Sequence, residues 1–203
     1  MDDCQDKDAL IKPHALIKDI LSNHCFKVWA QLLQTVPDSK LLIKNKQLSD
    51  PTLQFRVLAR LNEFGIASNR IEMLGGTSKE VHMATYSRVD IALDSFPYHG
   101  TTTTCDTLWM GIPVISRIGN SHVSRVGASL LNRLGLNNLI AKDNQEYVDL
   151  AAQLAADKPR LYNIRLGLRD TCIESGLVDG ARFTHNFETI LLRLWEQTGM
   201  ALT

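Results

Sequence analysis

Between Asp94 and Asp106 the chain reads DSFPYHGTTTTCD, the stretch richest in potential chemistry. Gly100 lets backbone approach a ligand closely, and four threonines follow it directly. If they open a helix, its first turn offers unpaired N–H groups at the positive end of the helix dipole, a ready seat for an anion. The threonine hydroxyls add further donors. A single Thr is enough to cap a helix, and a run of β-branched residues suits a helix interior poorly, so capping alone explains the run weakly. Asp106 falls four residues after Thr102 and three after Thr103, on their face of such a helix. A carboxylate there repels phosphate but accepts from ribose hydroxyls. The plainer alternative is a Thr cap followed by a dipole-stabilised acid. No Gly-Lys-Ser/Thr follows, so the loop is not a P-loop.

Such a loop needs strands and helices to hold it, and the chain alternates the two. Strands are predicted at 40–44, 70–74, 89–93, 114–117 and 139–141. Helices are predicted at 19–33, 53–64, 79–87, 103–110 and 124–134, followed by three closing helices at 145–156, 160–172 and 181–197. The last helix carries Phe183, Phe187, Ile190, Leu191, Leu194 and Trp195 at helical spacing, a stripe read as core. Near-continuously apolar strands separated by helices predict an α/β fold: a doubly wound, mostly parallel, Rossmann-like sheet with C-terminal helices. Ligands of such sheets sit beyond the C-terminal strand ends, in the loops after Lys44, Leu74, Leu93, Arg117 and Ala141. Residues 1–18 are poorly defined, and residues 19–203 read as one domain.

Composition narrows the function. Apolar residues make up 44% of the 203, and 22 basic residues balance 22 acidic ones. A sizeable core is expected, and a nucleic-acid or membrane-surface partner is not. Cys4, Cys25, Cys105 and Cys172 are scattered, without the paired spacing of a structural zinc site or the density of a disulfide framework. No apolar run reaches the roughly 20 residues that span a bilayer, and the acidic start MDDCQDKD is unlike a signal peptide. These features predict a soluble cytoplasmic protein.

Other candidates are single residues. His99 flanks the glycine turn and is read either as facing a ligand or as loop surface. His122 lies near the site, and Arg125 is read as tying its loop to an acid or binding an anion. His14, His24 and His185 have no motif around them. Asp90 and Asp94 bracket a strand, as in receiver domains, but the acidic pair and lysine of such domains have no match. His82 opens a helix, where a histidine by itself reads as a surface residue.

The stretch VDIALDSFPYHGTTTTCDTLWMGIPVISRIGNSHVSRVGASLLNRLGL resembles the C-terminal catalytic half of the SPINDLY and O-GlcNAc transferase family. The likeness extends upstream through VWAQLLQTVPDSKLLIK and downstream to LRLWEQ, about residues 26–197. It implies the C-terminal half of a two-domain (GT-B) glycosyltransferase, usually preceded by tetratricopeptide repeats. It further implies that the turn at Thr102 and Thr103 binds the donor diphosphate without a metal or cofactor, with Gly100 and Thr101 as further donor-binding residues. Asp106 would hold the ribose, Lys79 and His82 would be donor-site residues, and backbone near Thr77 would meet the base. Twelve residues separate His82 from Asp94 and twelve more lead to Asp106, as the family's spacing requires. Two departures stand out. Thr101 replaces the histidine of the O-GlcNAc transferase branch and matches the SPINDLY branch, leaving UDP-GlcNAc and GDP-fucose both open as donors. The family's aromatic-Asn block ending in a catalytic lysine is replaced here by PHALIK, where Lys18 is the best counterpart.

The resemblance therefore implies a donor-binding domain of an inverting protein O-glycosyltransferase. Its partners would be a nucleotide sugar, a protein Ser/Thr acceptor, and an N-terminal half-domain and repeats outside this chain. The altered Lys18 region leaves open a non-catalytic, nucleotide-binding remnant.

Overall fold

The computed structural model describes residues 10–14 and 23–198. Six strands, β1 (Leu10–His14), β2 (Lys40–Lys44), β3 (Ile71–Leu74), β4 (Ile91–Asp94), β5 (Val114–Arg117) and β6 (Ile140–Ala141), form one parallel sheet. Their order is β3-β2-β1-β4-β5-β6, the doubly wound arrangement. Every position of β4 is buried, as are four of the five in β2, so both faces of the sheet are covered. The order reverses between β1 and β4. The crevice above that pair is where such sheets take a ligand.

Residues 10–14, undefined from sequence, supply this central strand. β1 pairs with β4 from Ile11↔Ile91 to His14↔Asp94, and with β2 at Leu10↔Lys40 and Ile11↔Leu41. It therefore belongs to the same sheet as the domain assigned to residues 19–203. Pro13 hides it, because a residue that cannot donate to a ladder argues against a central strand.

Helix α1 (Asn23–Thr35) packs a nearly continuous buried face of Cys25, Phe26, Val28, Trp29, Leu32 and Leu33. The guanidinium of Arg70 tethers its C-terminal end and the following turn, donating to Leu33 O (2.8 Å), Val36 O (2.9 Å) and Ser39 O (2.8 Å). A cation there satisfies carbonyls the helix leaves open and opposes the negative end of its dipole. Asp50 caps α2 (Pro51–Glu63), with proline in the first helical turn; Ser78 caps the short α3 (Lys79–Thr85). Helix α4 (Thr102–Trp109) follows β4, and α5 (Val126–Arg133) follows β5. Asp143, Asp157 and Asp179 cap α6 (Asn144–Ala156), α7 (Lys158–Glu174) and α8 (Gly180–Gln197) through their side chains. No helix among the described residues is long and apolar enough to cross a membrane.

The stripe on α8 departs from its core reading. No residue of α8 is buried: Phe183 is 68% exposed, Phe187 51% and Trp195 43%. Periodicity states that a helix has an apolar face, not which chain covers it. An exposed stripe of this extent favours association. The isolated chain is therefore expected to form concentration-dependent oligomers, and Leu191→Glu with Trp195→Glu to reduce them. Light scattering that finds a clean monomer at high concentration would contradict this.

Candidate functional site

The loop after β4 is built around one buried acid. Asp94, 2% exposed, accepts the Gly100 N–H at Oδ1 (3.0 Å) and the Ser116 hydroxyl at Oδ2 (2.8 Å). The Tyr147 hydroxyl donates to its carbonyl (2.9 Å). His99, 1% exposed, lies against it, with Nδ1 3.3 Å from Asp94 Oδ2. The Gly127 N–H donates to His99 Nδ1 (3.0 Å), which leaves Nε2 to carry the proton and donate to Arg117 O (3.0 Å). A Cβ on Gly127 would collide with both Asp94 Oδ2 and Ser116 Oγ, so only glycine lets α5 start this close to the acid. His99 is therefore not loop surface: its ring is a hydrogen-bonded part of the loop's interior, and the residue also contributes to the wall of the cavity above it.

Above this base, α4 begins. The Thr104 hydroxyl donates to Gly100 O (3.0 Å) and that of Thr107 to Thr103 O (2.6 Å), back-bonding that turns both side chains to the helix. Thr101 stands at the cap position, but its side chain makes no capping bond. Thr101, Thr102 and Thr103 line a cavity of about 1100 Å³, just above the range of roughly 300–1,000 Å³ usual for small-molecule sites. The first-turn N–H groups of α4 lie at the same end of the helix.

The cavity brings together most of the expected site: Thr77, His82, Gly100, Thr101, Thr102 and Thr103. It spans the loops after β2, β3 and β4. His82 is half-buried and meets Tyr86 edge-on, ring centroids 5.4 Å apart. Lys79 is exposed and does not line the cavity. Asp106 is partly buried one turn into α4, beyond the lining residues and close enough for its charge to act on Tyr86. The Tyr86 hydroxyl is pushed up to about 12, chiefly by burial, with Asp106 adding to the shift. Lys18 lies outside the described residues.

Lys44 also lines the cavity, although no motif marks it. It ends β2 and is only 9% exposed. Its ammonium donates to Gly75 O (3.1 Å) and Thr77 Oγ1 (2.8 Å), and it lines the cavity. Burial holds its pKa below the usual lysine value. Its one signal in the sequence was a lysine at the C-terminal end of a predicted strand.

The remaining candidates lie elsewhere. His122 and Arg125 are exposed and do not line the cavity, and Arg125 makes no ion pair with an acid among the described residues. His24 sits edge-on to Phe96 (5.6 Å) and 3.1 Å from Asn144 Nδ2. His14 holds the register position beside Asp94 in β1, and His185 is exposed on α8. The Asp90 carbonyl accepts from Arg165 (3.2 Å). Asp94 is sealed by its partners, unlike an acid open to phosphorylation.

A parallel sheet of this order, with a helix start at the switch point, defines a doubly wound, Rossmann-like domain. The chain belongs to glycosyl transferase family 41, whose model matches residues 17–187. It is 43% identical over 172 residues to a probable UDP-N-acetylglucosamine–peptide N-acetylglucosaminyltransferase SPINDLY of Solanum lycopersicum, covering 84% of this chain and 18% of the relative. It is 31% identical over 178 residues to the UDP-N-acetylglucosamine–peptide N-acetylglucosaminyltransferase of Caenorhabditis elegans, 86% of this chain and 15% of that one. A mutant O-GlcNAc transferase of Thermobaculum terrenum superposes with TM-score 0.90 at 30% identity, over 98% of this chain and 38% of its own. The chain thus spans under a fifth of the two curated relatives described.

Burial pushes Asp94 up to about 7 and His99 down to about 4, so both are neutral near pH 6. The Gly100 and Ser116 hydrogen bonds restrain the first shift, and the charge of Arg117 adds to the second. The folded chain keeps a proton on Asp94 that the unfolded chain loses above 3.8, so this contribution to stability falls as pH rises from 3.8 to 7. For His99 the contribution is lost as pH falls from 6.5 toward 4. The two oppose one another. Asp94→Asn keeps only the second, so relative to wild type it should lose stability on acidification through this window, by at most about 1.4 kcal/mol per pH unit. Urea unfolding at a series of pH values checks this; parallel curves for both proteins would refute it.

Proposed function

We propose that this chain is the donor-binding domain of an inverting, metal-independent glycosyltransferase that moves a sugar from a nucleoside diphosphate to a protein Ser or Thr hydroxyl. N-acetylglucosamine from UDP is the leading donor and fucose from GDP the second, because Thr101 follows the SPINDLY pattern. One observation carries the reading: the start of α4 opens Thr101, Thr102 and Thr103 onto a cavity whose wall also holds His82 and Lys44.

The chemistry follows from charge. As the bond between sugar and diphosphate breaks, negative charge grows on the leaving phosphate. Preorganised N–H groups, hydroxyls and a cation stabilise it there without having to reorganise. The α4 amides, the Thr102 and Thr103 hydroxyls and the Lys44 ammonium supply those elements on this reading, with Lys18 as a further leaving-group contact. The acceptor hydroxyl attacks the sugar carbon from the opposite side, which inverts it, and gives its proton to a base within hydrogen-bond reach. His82 and the backbone near Thr77 take the base and ribose edge; Lys79 adds positive charge, and Asp106 accepts from the ribose. The acceptor protein, an N-terminal half-domain and tetratricopeptide repeats complete the assembly, with no nucleic acid or membrane partner. The balanced charge and the thiols of Cys105 and Cys172 fit a cytoplasmic setting.

Calorimetry with UDP and GDP tests the reading on the full 203-residue chain. Saturable binding of one nucleotide is expected. Thr103→Ala and Lys44→Met should each weaken it about tenfold or more, the usual value of a hydrogen bond to a charged group. Asp106→Ala should weaken a nucleotide more than inorganic pyrophosphate, which lacks a ribose. A folded chain that binds neither nucleotide would sink the proposal. Binding without transfer, when the partner half-domain is supplied separately, would leave a nucleotide-binding module instead.

A further inference from the structure

We propose that Asp94 is a positioning residue for donor binding: with Thr104 it clamps Gly100 so that the Thr101 N–H is presented to the donor's phosphates. The proposal rests on the nucleotide reading and names the part of the fold that prepares the site.

Both peptide groups of Gly100 are held. Its N–H is taken by Asp94 Oδ1 (3.0 Å) and its carbonyl by the Thr104 hydroxyl (3.0 Å). In a planar trans peptide the Gly100 carbonyl and the Thr101 N–H point in opposite directions. Drawing the carbonyl inward to Thr104 therefore turns the Thr101 N–H away from the helix, and Thr101 itself is exposed and lines the cavity. A Cβ on Gly100 would lie 2.6 Å from Thr103 Oγ1 and 2.7 Å from Thr104 Oγ1, so the clamp closes only over glycine.

Asp94 itself has little freedom. Ser116 on β5 holds Oδ2, the start of α5 is seated on it through Gly127, and the His99 ring fills the remaining side. The backbone N–H of His99 donates to Val123 O (3.0 Å), tying the loop just before Gly100 to the segment that leads into α5. Asp94 does not line the cavity, so its effect on a ligand passes through Gly100.

The test compares Asp94→Asn, which keeps an acceptor for the Gly100 N–H, with Asp94→Ala, which removes it. Two quantities are read on the full chain: the Kd for whichever of UDP and GDP the wild type binds, and amide hydrogen exchange at Gly100 without nucleotide. Asp94→Ala should raise Kd about tenfold and speed Gly100 exchange. Asp94→Asn should stay within about threefold of wild type on both, a rescue that turns on the retained hydrogen bond. Thr104→Val, nearly isosteric, releases the carbonyl end and should also weaken binding, which keeps the test open if Asp94→Ala does not fold. Unchanged exchange and affinity in Asp94→Ala, or equal damage in Asp94→Asn, would overturn the proposal. A wild type that binds neither nucleotide sinks the nucleotide reading instead; Gly100 exchange then judges the clamp alone, and unaltered protection in Asp94→Ala refutes it.

Discussion

The hydrogen bond from the Gly100 N–H to Asp94 Oδ1 joins the sheet to the loop that faces the cavity. A carboxyl at the end of a fully buried strand costs free energy unless its oxygens are paired. Here the pairing groups come from the loop, from β5 and, through His99, from α5. Satisfying one buried acid therefore sets the relative placement of three segments. The turn before α4 inherits the rigidity of the sheet, and a site built on rigid elements holds its geometry better than one on a free loop.

The cavity's chemistry divides between groups spent on structure and groups left for a ligand. Thr104 and Thr107 turn back to the carbonyls of Gly100 and Thr103, while Thr101, Thr102 and Thr103 line the cavity. The four threonines are thus not equivalent, although the sequence writes them as one run. Lys44 shows the same division within a single side chain. Its ammonium ties the β3 loop through Gly75 and Thr77, and the residue also lines the cavity wall. A cation and a helix start on one cavity suit an anion with more than one charge, which is what the proposed donor offers.

Helix α8 contrasts with this economy. Its side-chain cap at Asp179 and its apolar period make it a well-specified helix, yet it contributes nothing to the core. The core closes without it, from Cys25 in α1 to Cys172 in α7.

Periodicity alone marked five of the six strands and the helices after them, because apolar runs and turn residues are local features. Composition and the HGTTTTCD run marked the helix start at α4, since a poor helix interior demands another reason. What stayed hidden depends on contacts distant in sequence. Pro13 concealed the central strand until β4 was placed beside it. His99 became an interior residue only when Arg117 and Gly127 came within 3.0 Å of its ring. Lys44 became a wall of the cavity only once β3 lay beside β2. The sequence by itself determined the helices, every described strand but the central one, and which loop carries donors for an anion. Tertiary structure alone decided which of those groups are satisfied internally and which remain for a ligand, because hydrogen-bond pairing and burial are properties of the packed chain.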